Sequence, residues 1–176
     1  MIFDPYSDRK SRDIRNRLSS ALVEELRGPA TNALSTAVGE CKRMADAPVY
    51  RSYIEDRSAL FQHALQQIRR DGLTDPRHQA VCLWNLGLFF EMHELLETIW
   101  QKSREPERTG LKGWIQAAGA YVHAGRGKME AAQGLAKRAV MHLSDGRSAL
   151  CFISNLDQLM LALADPTGGA PQLEAI

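Results

Sequence analysis

FFEMHELLETIW, residues 89–100, decides how this chain is read: it looks like a core helix, yet it carries His93, Glu91, Glu94 and Glu97 among phenylalanines, leucines and a tryptophan. At about 100° per residue, Glu97 lies about 40° to one side of His93 and Trp100 about 20° to the other. Phe89 and Phe90 flank the same face. Trp84, Leu88 and Leu95 occupy the opposite side, so a helix continuous through them is apolar almost all round and belongs in the centre of a helical assembly. Glu91 and Glu94 fall between these faces. An ionised carboxylate in such a setting costs several kcal/mol unless it is paired. Glu97 is therefore expected to pair with protonated His93 one turn back, to hold a proton, or to coordinate a cation.

Working outward, glycine and proline punctuate the chain at RGPAT, ADAPVY, RRDGLTDP, SREPERTG, HAGRGKM, LSDGRS and ADPTGGAP, and between these marks apolar residues recur at three- and four-residue spacing. The pattern predicts about seven helices, over roughly 7–27, 30–46, 49–70, 75–103, 108–125, 128–143 and 146–164. Ser7 or Asp8, Thr74 or Asp75 followed by Pro76, and Asp145 are expected caps; Gly28, Gly72 and Gly125 are expected ends. No stretch alternates with period two. The expected fold is all-α: one multihelical bundle built from antiparallel helix hairpins, a single domain over residues 1–176, with a loose tail from 165 to 176.

The 22 Lys and Arg nearly cancel the 21 Asp and Glu, leaving a net charge of +1 and no global field to recruit nucleic acid or an anionic membrane. The densest basic cluster, Arg9, Lys10, Arg12, Arg15 and Arg17, shares a helix with the apolar stripe Ile14, Leu18, Ala21 and Leu22, and reads as the solvated face of an amphipathic helix. Cys41, Cys82 and Cys151 form no CxxC and are expected as reduced core residues. The N-terminus has no apolar signal core and no run is long enough to cross a bilayer, so the expectation is a cytoplasmic protein.

A second segment, LKGWIQAAGAYVHAGRGK at 111–128, places Gln116, Ala120 and His123 on one face with Gly113, Gly119 and Gly127 beside them, while Trp114, Ala118 and Tyr121 point elsewhere. If it forms an antiparallel hairpin with the first segment, His93 and Glu97 meet Gln116 and His123 between the two helices. Together the segments resemble the domain of unknown function 309 family, whose hallmark HxxxExxW or HxxxExxY matches His93, Glu97 and Trp100. The wider pattern matches Phe89, Phe90, Glu91 and Glu94, and a second motif matches Gln116, Ala117, Ala120, His123 and Gly127, over roughly residues 80 to 145. Lys128 departs from it, standing where asparagine is expected. The resemblance implies a small all-α protein and suggests metal binding by the hallmark residues.

Imidazole and carboxylate suit a divalent metal such as zinc or manganese, which makes His93, Glu97 and His123 the candidate ligands, with Glu94, Trp100 and Gln116 as the remaining pocket residues. HELLE is not the HExxH zincin pattern, because Glu97 stands where that pattern needs its second histidine. There is no GxSxG elbow, no phosphate-binding glycine loop after a strand and no di-iron ExxH pattern in the motif helix. Two readings stay open. One is a metal- or small-ligand-binding pocket, with metal-dependent hydrolysis as its obvious chemistry. The other is a non-enzymatic interaction module, docking through a surface that includes Arg12 and Arg15, in which His93, Glu97, Gln116 and His123 are a buried structural network; homo-oligomerisation is compatible with either.

Overall fold

A computed structural model describes residues 2–28 and 31–176. Over these the chain is all-α: α1 (Arg9–Arg27), α2 (Ala33–Met44), α3 (Pro48–Arg70), α4 (Pro76–Asn85), α5 (Phe89–Trp100), α6 (Glu107–Gly125), α7 (Met129–Asp145) and α8 (Leu156–Ala162), with 3₁₀ turns at Arg147–Leu150 and Pro166–Gly168. The only extended pairing among the described residues is an isolated bridge between Ile153 and Ala175. The chain divides into two compact units, Met1–Leu73 and Thr74–Ile176. The expected start of the second helix at residue 30 lies outside the described residues.

In the first unit, Asp8 caps α1 as its position predicts, accepting from the backbone N–H of Lys10 at 3.3 Å and of Ser11 at 2.9 Å. The Ser11 side chain and backbone, with Tyr50 and Lys10, hold the Asp8 carboxyl down to about 2 against the opposing effect of burial. The stripe Ile14, Leu18, Ala21 and Leu22 is fully buried, in a core shared with Leu34 and Cys41 of α2 and with Ile54 and Phe61 of α3. Glu25 is nearly buried, and its carboxylate accepts from Leu34 N–H at 3.3 Å and from Arg69 at 3.0 Å. The basic face of α1 is occupied from within: Lys10 reaches Asp46 and Arg17 reaches Glu40, each at 2.6 Å, while Arg12 donates to the Pro5 and Tyr6 carbonyls. Arg15 lies over the Tyr6 ring.

In the second unit, the helix expected over 75–103 is broken. Gly87 takes φ +70°, and the N–H groups of Gly87 and Leu88 return to the Trp84 and Leu83 carbonyls, each at 2.9 Å. That is a Schellman ending, with Leu83 and Leu88 both buried beside it. The same pattern closes α6 at Gly127, φ +68°, with Lys128 N–H on the His123 carbonyl at 3.0 Å. So α4–α5 and α6–α7 are two hairpins turned by one device.

The α6–α7 seam is built from small residues. A Cβ on Gly113 would lie 2.6 Å from the Leu143 backbone nitrogen, and one on Gly119 would press the Leu135 side chain at 3.2 Å. Ala117 and Ala120 of α6 and Ala132, Ala136 and Ala139 of α7 are buried. As expected, the small face of α6 admits a neighbouring backbone while Trp114 fills the core.

Three expectations are corrected in this unit. Asp145 ends α7 rather than capping a helix. Cys82 is buried but Cys151 is exposed. The segment expected as a loose tail is a strap fixed by hydrogen bonds: Trp84 Nε1 donates to the Pro171 carbonyl at 2.8 Å, Asn85 exchanges two bonds with Leu173 at 2.8 and 2.7 Å, and Glu174 N–H donates to Asn155 at 2.9 Å. Leu173 is buried. Among the described residues, no helix is long and apolar enough to cross a membrane.

Candidate functional site

The site grows from the position of the α5 start. Because Gly87 turns the chain, α5 is twelve residues long and begins at Phe89. It buries Glu91, Met92, Leu95 and Leu96 and leaves His93, Glu94, Glu97 and Trp100 partly exposed. The buried side therefore lies across the helix from His93 and Glu97, and the motif forms the outward stripe of α5.

His93 sits between two carboxylates. Its Nε2 is 3.2 Å from Glu97 Oε1 and its Nδ1 3.5 Å from Glu94 Oε1. The His93 side chain is 31 % exposed and that of Glu97 42 % exposed. Burial alone would lower the His93 pKa; the hydrogen bond to Glu94 and the charges of Glu97 and Glu94 outweigh it, so His93 titrates above its ordinary value. The Phe90 ring lies 6.1 Å from the imidazole. Further along the stripe, the Arg108 guanidinium stands 4.7 Å from the centre of the Trp100 ring. The Trp100 Nε1 is buried and finds no hydrogen-bond acceptor among the described residues.

The expectation that Glu97 is kept from water is thus corrected. The reason is the break at Gly87: a helical wheel drawn through Trp84 and Leu88 does not continue the phase of α5. The glutamate the fold buries completely is Glu91, which the wheel had placed near a boundary. Residue type offers no signal for this choice, because Glu91, Glu94 and Glu97 are chemically alike and only the turn sets which one faces inward.

Gln116 does not join the α5 pair. Gln116 Oε1 lies 2.7 Å from His142 Nδ1 of α7, a contact in which the ring N–H donates because an amide oxygen can only accept. With Gly113 and Gly119 also against α7, the face of α6 that was expected to meet the motif helix meets α7 instead. His142 is therefore the partner that was missed; its i+26 separation from Gln116 carries no local signal. Among the described residues, no three His, Cys, Asp or Glu side chains come together as a group that could hold a metal ion, so His93, Glu97 and His123 do not form the expected three-ligand set.

No curated protein and no solved structure matches the chain. The family comparison matches residues 78–135, from the first turn of α4 into α7, where roughly 80 to 145 was expected from the motifs. Those residues match the family described as domain of unknown function (DUF309), and both motif segments lie within the match.

Proposed function

We propose that this chain is a helical interaction module, without catalytic chemistry of its own, whose recognition surface is the HxxxExxW stripe of α5. The observation that carries this reading is the placement of His93, Glu94, Glu97 and Trp100 together on the outward side of a helix whose other side is committed to core. The stripe sets two carboxylates 3.5 and 3.2 Å from the His93 imidazole, with the Trp100 indole further along it, and Arg108 already illustrates how a guanidinium seats over that indole. A partner protein presenting a basic side chain is the occupant that this chemistry fits. The Arg12 and Arg15 surface is less suited to docking, since both groups already have intramolecular partners.

A photo-crosslinking residue placed at Thr98, which borders the stripe, and a control at Lys112, on another helix, test this in cells. A defined protein adduct is expected from position 98 only, lost when Glu97→Arg is added. Equal adducts at both positions, or survival of the adduct in Glu97→Arg, overturn it.

A divalent metal held by His93 and Glu97 is the second reading, supported by their 3.2 Å separation, which suits two donors on one ion completed by water or by a partner. Metal analysis of untagged protein decides between them. Stoichiometric zinc or manganese lost in Glu97→Gln restores the metal reading, and hydrolysis with it; a parent that ignores added zinc and manganese removes both.

A further inference from the structure

The strap is held chiefly by its backbone. Residues 170–176 form no helix, and Ala175 pairs with Ile153 as an antiparallel bridge. Two asparagines clasp the segment between them. Asn85, the last residue of α4, donates through Nδ2 to the Leu173 carbonyl at 2.8 Å and accepts from the Leu173 N–H through Oδ1 at 2.7 Å. Asn155, just ahead of α8, donates to the Gln172 carbonyl and accepts from the Glu174 N–H, each at 2.9 Å. The Trp84 indole holds the Pro171 carbonyl at 2.8 Å. Backbone meets backbone on the remaining flank, where Ser154 N–H donates to the Glu174 carbonyl and Ile176 N–H to the Phe152 carbonyl, each at 2.9 Å.

An asparagine side chain carries one acceptor and a donor group, which match the N–H and C=O of any residue laid beside it. Choice is left to one side chain. Within residues 170–176 only Leu173 is buried, while Gln172, Glu174, Ala175 and Ile176 are exposed. Main-chain bonds for affinity and a seated side chain for register are the means by which a protein takes up an extended peptide. The strap therefore sits in its groove as a tethered ligand.

Nothing in these contacts depends on which copy of the chain supplies the strap. The connection to α8 is built to bend: Thr167, Gly168 and Gly169 are exposed, Gly169 takes φ +86°, and a Cβ on Gly168 or Gly169 would meet nothing within 4 Å. Opening that bend and closing on a neighbour restores every hydrogen bond that was broken, which is why exchange of an identical element is a low-cost route to a dimer.

We propose that the groove of Trp84, Asn85 and Asn155 is a binding site for the strap of a second copy of this chain, so that two copies associate by strap exchange. A segment on a short tether competes at an effective concentration on the order of millimolar, so in dilute solution each strap closes its own groove. Exchange is revealed by disabling one half of the contact in each of two chains.

Leu173→Asp disables the strap and keeps the groove; Asn85→Ala combined with Asn155→Ala disables the groove and keeps the strap. Mixed as 176-residue chains, the two are expected to give a heterodimer by native mass spectrometry. A groove-disabled chain that also carries Leu173→Asp is expected to give none. Thermal melts establish that each variant is folded, and Leu173→Ala or Asn155→Ala alone replaces any that is not. A labelled peptide of residues 169–176 is expected to bind the Leu173→Asp chain saturably, and at least ~10-fold more weakly once Asn155→Ala is added. No heterodimer from folded variants, or one that survives loss of both leucines, overturns the exchange. Peptide binding without a heterodimer overturns the second copy as occupant, and a peptide that binds no better than its own Leu173→Asp form overturns the groove. The motif stripe enters none of these readouts, so the outcome is independent of the function proposed above.

Discussion

The α6–α7 seam and the outward stripe of α5 carry the two family motifs, yet they are held by opposite physics. At the seam, Gly113 lets one helix backbone rest on another, and the selection is steric: a methyl group there would meet the Leu143 backbone. On the stripe, His93, Glu94 and Glu97 satisfy one another while remaining partly in water, and the selection is electrostatic. The difference teaches where the fold's stability resides. Charged residues attract attention in a sequence, but it is the inconspicuous glycines that the structure can least afford to change.

That contrast can be broken at four points of decreasing effect. Gly113→Val should destabilise the second unit by about 3 kcal/mol or leave it unfolded, because its Cβ meets the Leu143 backbone rather than a mobile side-chain end; chemical unfolding followed by tryptophan fluorescence measures it, and a loss below about 1 kcal/mol would show that the seam yields. Asn85→Ala removes two bonds to Leu173 and should cost about 2 kcal/mol, with limited proteolysis now releasing the strap. Gly87→Ala should cost about 1 kcal/mol: nothing lies within 4 Å of the added methyl, so only the left-handed backbone opposes it.

Glu97→Gln should have the smallest effect on stability, about 0.5 kcal/mol or less at neutral pH, as befits a half-exposed pair. Its signature is the titration of His93. The native pKa lies above the ordinary 6.5, so the stabilisation from the charged imidazole is fully present below the unfolded value and disappears as pH rises through the native one. NMR titration should therefore place the His93 midpoint above about 6.5 in the parent and lower in Glu97→Gln and Glu94→Gln. Unfolding midpoints should fall from about pH 5.5 to about pH 8.5 more steeply in the parent than in His93→Gln. A His93 midpoint that ignores both glutamate changes would disprove the ion-pair account of the stripe.

Helix content was legible because three- and four-residue spacing is a local property. The stripe Ile14, Leu18, Ala21 and Leu22 reappears as buried core, and Asp8 and Asp75 cap the helices they precede. The break at Gly87 was hidden because glycine inside an apolar run is compatible with a continuous helix. From that one turn followed the wrong phase for Glu97, the overlooked burial of Glu91, and the assumption that α6 shows its polar face to the motif helix.

By itself, then, the sequence determined an all-α chain, the Asp8 and Asp75 caps, the α1 core stripe and the positions of the motifs, since each is set by residue type at short spacing. Which face of α5 turns inward, that Gln116 meets His142, and that residues 165–176 become a strap were decided only by tertiary structure. These outcomes depend on contacts between residues far apart in the chain, where a buried partner at the right distance, rather than any preference of the residue itself, settles the free energy.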